Sequence, residues 1–176
     1  MAPARPLSDC PSDSVLESRA VKELRVPKQR AEVEVILPGR GSHRVAVFLA
    51  DFAPNHAGGE RLSDLLNGAG GFFPAVDAET DQVVFLNRDT IAVARIAAAF
   101  ERDPASELTL PTEHEVSIRL SDGQQIEGLI SFVMPPERSR LMDFLNESPP
   151  FFRLLQKDCV SLVNKHHVAS IATARK

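Results

Sequence analysis

Tryptophan and tyrosine are absent from this 176-residue chain, and phenylalanine is its only aromatic residue. Surfaces that stack nucleic-acid bases are commonly built from Tyr, Trp and Phe, so few positions offer such a platform. Apolar aromatics are mostly buried, which assigns the pairs Phe72-Phe73 and Phe151-Phe152 to the core. Cysteine occurs only at Cys10 and Cys159. Cys10 falls in an expected tail and Cys159 at a strand edge, so a disulfide between them has little support. Two unpatterned cysteines fit a reducing cytoplasm. No apolar run approaches the ~20 residues that span a bilayer. The N-terminus lacks a basic segment followed by an apolar core, so the reading is a cytoplasmic protein with no secretory signal and no membrane association. A strong charge of one sign is missing too: the formal net charge is -4, which argues against a broad basic face for nucleic acid. No GxSxG, P-loop, GxGxxG, HExxH or CxxC pattern occurs. The expectation is a non-enzyme with no catalytic residues, no cofactor and no metal site.

What is present is the composition of a folded domain, 43% hydrophobic and 25% charged. Residues 1–30 read as a flexible arm, because Pro3, Pro6, Pro11 and Pro27 interrupt it and its apolar content is too low to offset ordering entropy. Within it, Ser14 and Glu17 have capping-box spacing, and Leu16, Ala20 and Leu24 share a helical face. That segment is either a transient helix or a docking helix. Residues 31–97 read as a first unit. Val33, Val35 and Leu37 alternate, Pro38-Gly39-Arg40-Gly41-Ser42 turns, and Val45, Val47 and Leu49 return. A short helix follows around Leu62, Leu65 and Leu66, with Gly68 at its C-cap, and then three more strands. Residues 98–112 read as a linker with a helical turn before Pro104 and an edge strand at Leu108 and Leu110. Residues 113–176 begin the plan again.

The two units align. Arg61-Leu62-Ser63-Asp64-Leu65-Leu66-Asn67 precedes Arg140-Leu141-Met142-Asp143-Phe144-Leu145-Asn146 by 79 positions, and Phe72-Phe73 precedes Phe151-Phe152 by the same offset. Val84-Phe85-Leu86-Asn87-Arg88 matches Ser161-Leu162-Val163-Asn164-Lys165 at an offset of 77. Three ordered matches indicate an internal repeat. A 60-residue unit is marginal alone, and five short bent strands close most easily into a small barrel. The expected fold is therefore a β-dominated α+β protein: two tandem small barrels, each with one inserted short helix.

The second unit carries an alternating strand, a glycine turn and an apolar-x-Gly-x-apolar return at Val116, Ile118, Leu120, Gly123, Ile126, Gly128 and Ile130. It ends in Val163-Asn164-Lys165-His166-His167-Val168-Ala169-Ser170. In these motifs it resembles the Sm-like family, whose bacterial Hfq branch has a Lys-His turn between its last two strands. The resemblance implies an SH3-like barrel, a strand bend at Gly128, and RNA contact at Asn164, Lys165, His166 and His167. The helix between the motifs departs from the family pattern, as does Asn87-Arg88-Asp89-Thr90 in the first unit.

Of the remaining polar residues, none forms a recognisable mechanism set. His166 and His167, taken as adjacent strand residues, would face opposite ways and could not share a metal. Asp64 with Arg61 reads as a surface pair at i,i+3, and Asn67 and Asn146 as helix-terminal residues. Asp51, His56 and Glu60 match no hydrolase spacing. The functional expectation is a non-catalytic interaction or scaffold module that binds a protein partner or self-associates. The alternative is an Sm-like RNA-binding protein using Asn164 to His167, with a basic surface extended by Arg175 and Lys176.

Overall fold

The computed structural model describes residues 28–102 and 110–173. The expected helix at Val15 to Leu24, Cys10, Leu108, Arg175 and Lys176 lie outside them. Ten strands form one antiparallel sheet. In chain order they are β1 (Lys28–Leu37), β2 (Gly41–Ala50), β3 (Phe72–Asp77), β4 (Val83–Asn87), β5 (Val93–Ala97), β6 (Thr112–Leu120), β7 (Gln125–Phe132), β8 (Phe151–Leu155), β9 (Cys159–Asn164) and β10 (Val168–Thr173). Helix α1 (Leu62–Asn67) joins β2 to β3, and α2 (Leu141–Glu147) joins β7 to β8. Single 3₁₀ turns, Arg88–Thr90 and Lys165–His167, precede β5 and β10. Strand β1 starts at Lys28, inside the expected arm, because Lys28, Gln29 and Arg30 continue the ladder with β2.

The order across the sheet is β10-β6-β7-β8-β9-β5-β1-β2-β3-β4. Each half of the chain has the same neighbour order: its last strand lies beside its first, followed by the second, third and fourth. The hairpins have local causes. Gly39 and Gly41, at φ +69° and +79°, supply the left-handed conformation that turns β1 into β2.

The halves do not form two separate closed barrels. Strand β5 of the first half pairs with β9 of the second from Val93↔Val163 to Ala97↔Cys159, so one open sheet runs through both. The side chains explain why this junction holds. Strand β9 is apolar on both faces. Val160 and Leu162 join the first-half cluster of Leu62, Leu66, Ile91 and Ala94, while Val163 joins the second-half cluster of Ile118, Ile130 and Leu154. In the other direction, Ile36, Ala92 and Val93 enter the second-half cluster. Each half therefore completes the core of the other. Strand β9, buried along nearly its whole length, packs against both cores at once.

Smaller departures also have simple reasons. The helical turn after β5 is a 3₁₀ turn, Ala98–Glu101. Leu110 is fully exposed and lies outside any strand. His166 and His167 sit in a 3₁₀ turn, so the argument from strand alternation does not apply to them. Phe73, Phe151 and Phe152 are core residues, whereas Phe72 is exposed.

Candidate interaction edges

Three backbone and side-chain devices hold the junction between the halves. The first is the β5–β9 ladder. The second is Asn164, which is buried in spite of being polar. Its Nδ2 donates to the Ile91 carbonyl at 3.1 Å, its backbone N–H donates to the Ala92 carbonyl at 2.9 Å, and its Oδ1 accepts from the His166 N–H at 3.1 Å. The third is Asn67 at the end of α1. Its Nδ2 donates to the Phe151 carbonyl and its Oδ1 accepts from the Phe151 N–H, both at 2.9 Å. One side-chain amide thus pairs with the start of β8 as a neighbouring strand would. Recurrence of Asn at positions 67 and 146 was the visible sign of this role; its long-range target was not readable from local spacing.

Glu101 adds a polar tie. Its carboxylate is fully buried and accepts from the Ser63 N–H at 2.8 Å, and Arg153 Nε stands 3.6 Å from its Oε2. Arg153 also donates to the Glu101 carbonyl. Burial pushes the Glu101 carboxyl above its ordinary range, and the Ser63 bond and the Arg153 charge offset only part of that push.

Of the residues expected at the RNA-contact turn, Asn164, Lys165 and His167 have their side chains engaged within the chain. Lys165 Nζ donates to the Ser148 and Leu145 carbonyls at the end of α2. Arg88, the residue aligned with it, donates from Nε to the Leu65 carbonyl at 3.1 Å and from Nη1 to the Ala69 and Gly70 carbonyls. The base that follows each Asn is thus a cap for the carbonyl end of its own helix. His167 Nε2 lies 2.8 Å from the Asp89 carbonyl, which brings the two 3₁₀ turns together. His166 is exposed.

Asp64 is more than a surface partner of Arg61. It accepts from the Arg61 N–H at 2.8 Å, closing the first turn of α1, and from His56 Nε2 at 2.8 Å. The same carboxylate lines an open cleft of about 500 Å³ between the halves, with Asn55, Asn67, Phe144 and Arg153. Asp51, His56 and Glu60 do not form a set: His56 turns to Asp64, and Glu60 Oε2 accepts from the Ala50 N–H at 2.8 Å. Asp143 and Asn146 lie on α2, with Asn146 exposed.

Among the described residues, the sheet leaves two outer edges, β4 and β10. Edge strands commonly carry Lys, Pro or a bulge that discourages further pairing. Strand β4 has none of these charges or prolines, reading Val83-Val84-Phe85-Leu86-Asn87. Val83 is 64% exposed and Phe85 70%, and Phe72 on the adjoining β3 is 64% exposed. Their counterparts at the internal junction, Val160, Leu162 and Phe151, are 3%, 0% and 2% exposed. This apolar edge was missed in the sequence because any short apolar run reads equally well as a buried strand. Among the described residues, no three His, Cys, Asp or Glu side chains gather as a metal site.

Compared with protein-family models, curated proteins and solved structures, the chain matches none.

Proposed function

We propose that this chain is a non-catalytic protein-interaction module that works by strand addition. Two repeats of an Sm-like unit, fused side by side through β5 and β9, form a rigid sheet whose ends receive a partner strand. The observation that carries this reading is the exposure of Phe72, Val83 and Phe85 along one unpaired edge. An apolar side-chain row beside unpaired backbone groups is the surface that β-augmentation uses: main-chain bonds supply affinity and alternate side chains supply selectivity.

A photo-crosslinking amino acid at Val83 tests this in the cell of origin. Protein adducts are expected, and they should disappear when Phe85→Lys is added, because a charge would then face the incoming strand. Absence of any protein adduct at Val83 would overturn the interaction reading.

A further inference from the structure

We infer that the open cleft between α1 and α2 binds a small amphipathic carboxylate, with its hydrocarbon body against the second half and its charge on Arg153. The inference does not rest on the strand-addition reading, because no residue of β3 or β4 lines this cleft.

The cleft holds about 500 Å³ and lies along the seam of the two halves. Small-molecule sites usually span roughly 300–1,000 Å³ and favour such seams. Its two walls differ in chemistry. The second half supplies Phe132, Val133, Phe144 and Pro149. The rings of Phe132 and Phe144 stack with centroids 4.5 Å apart, which fixes this wall in place. Val133 is 56% exposed, an apolar side chain that nothing in the chain covers. No side chain among these four offers a hydrogen-bond donor or acceptor, so the group they suit is hydrocarbon and not a base with polar edges. The first half supplies a polar wall that includes Asn55, Arg61, Ser63, Asp64 and Asn67.

The sign of the ligand charge follows from the lining. Two guanidinium groups, Arg61 and Arg153, stand against one carboxylate, Asp64. That carboxylate is already matched, by His56 Nε2 at 2.8 Å and Arg61 Nε at 3.5 Å. Arg153 is the cation with capacity left. A guanidinium carries five N–H donors in a fork that fits a carboxylate. Among the described residues, Arg153 spends one of them on the Glu101 carbonyl, while its buried Nε has no hydrogen-bond acceptor and stands 3.6 Å from Glu101 Oε2. Its side chain is 31% exposed, so donors on the terminal nitrogens are open to a carboxylate entering the cleft. A ligand with an anionic head and an apolar body therefore satisfies both walls at once, and an alkylammonium of the same length does not.

Calorimetric titration with decanoate tests this, beside decylamine, which has the same body and the opposite charge, and uridine monophosphate, which has an anionic head and a polar body. Decanoate is expected to bind one to one, and the other two at least about tenfold more weakly. Val133→Glu places a carboxylate on the apolar wall at an exposed position and should weaken decanoate by about tenfold or more. Asn55→Asp, on the exposed polar wall, should weaken it in the same direction and keeps the test open if Val133→Glu does not fold, which circular dichroism checks. Leu110→Glu makes the same kind of charge change at a fully exposed apolar residue outside the cleft and should leave the affinity unchanged. Absence of saturable decanoate binding would overturn the inference. So would equal binding of decylamine or uridine monophosphate, an affinity unchanged in both cleft variants, or an equal loss in Leu110→Glu. The Val83 crosslink reads a different surface, so this inference and the strand-addition reading fail separately.

Discussion

The side-chain amide of Asn67 meets both backbone polar groups of Phe151 at 2.9 Å, joining the end of a first-half helix to the start of a second-half strand. Phe151 itself is buried, so its N–H and carbonyl have little access to water. Removing the amide leaves both without their partner, and an unsatisfied buried group costs roughly 1–3 kcal/mol. Asn67→Ala is expected to lower stability by about that amount in urea unfolding, with faster exchange of the Phe151 amide. Asn146→Ala should change stability by less than about 0.5 kcal/mol, because that side chain is exposed. Equal losses at the two positions would contradict the role given to Asn67.

Gly128 is required for a reason different from strand bending. A Cβ at this position of β7 would lie 2.7 Å from the Leu155 carbonyl oxygen and 2.8 Å from Leu154 Cγ on β8. The nearest atom belongs to the backbone, so a rotamer change cannot relieve the contact. Gly128→Ala is expected to destabilise the chain by roughly 1–3 kcal/mol, as overpacking does in other cores. Gly71→Ala is the control, since nothing lies within 4 Å of its Cβ position. Chemical denaturation of the two variants side by side checks the contrast.

These two residues mark how far the sequence is legible. Strand β1 could be placed from Val33 and Val35 because alternation is a local property of a half-buried strand. Helix α1 could be placed from Leu62, Leu65, Leu66 and Gly68 for the same kind of reason. The glycine at 128 stood out through its motif, but its cause lies in β8, which approaches from 26 positions away. The β5–β9 pairing was not legible. Val93, Ala94, Val160 and Leu162 are ordinary strand residues until their partners are known. A closed barrel and an open shared sheet ask for the same apolar residues in these strands and differ only in which edges meet. The edge at β4 was hidden likewise: Val83 and Phe85 carry no local mark that separates an outer strand from an inner one.

Glu101 predicts a pH dependence with one sign. Burial raises its carboxyl above the ordinary value of 4.5, so the folded state holds the proton more tightly than the unfolded state does. The associated stability is complete below 4.5 and is lost as pH rises through the folded value. Glu101→Gln keeps an acceptor for the Ser63 N–H and removes the titration. The melting temperature of the variant relative to wild type is therefore expected to rise between about pH 4 and pH 7. A difference that is flat or falls over that range, in matched thermal melts, would show that the buried carboxylate is fully compensated by Arg153.

The His56–Asp64 pair predicts a window instead of a slope. The hydrogen bond that the His56 imidazole donates to Asp64 raises it above its ordinary 6.5. Its contribution is whole below 6.5 and is lost as pH rises through the folded value. For Asp64, burial pushes the carboxyl up, but the bonds from His56 and the Arg61 N–H outweigh it and hold the group below 3.8. That contribution is whole above 3.8 and is lost as pH falls through the folded value. Between 3.8 and 6.5 both partners are charged, and the pair stabilises the start of α1 in full. His56→Gln should therefore lower the melting temperature most within that window and progressively less on the alkaline side. The pair is only partly buried, which leaves the effect sensitive to salt, and high ionic strength should flatten it. Thermal melts of both proteins across pH at low and high salt measure this directly. A deficit that stays constant through pH 8 would assign the role of His56 to packing and not to charge.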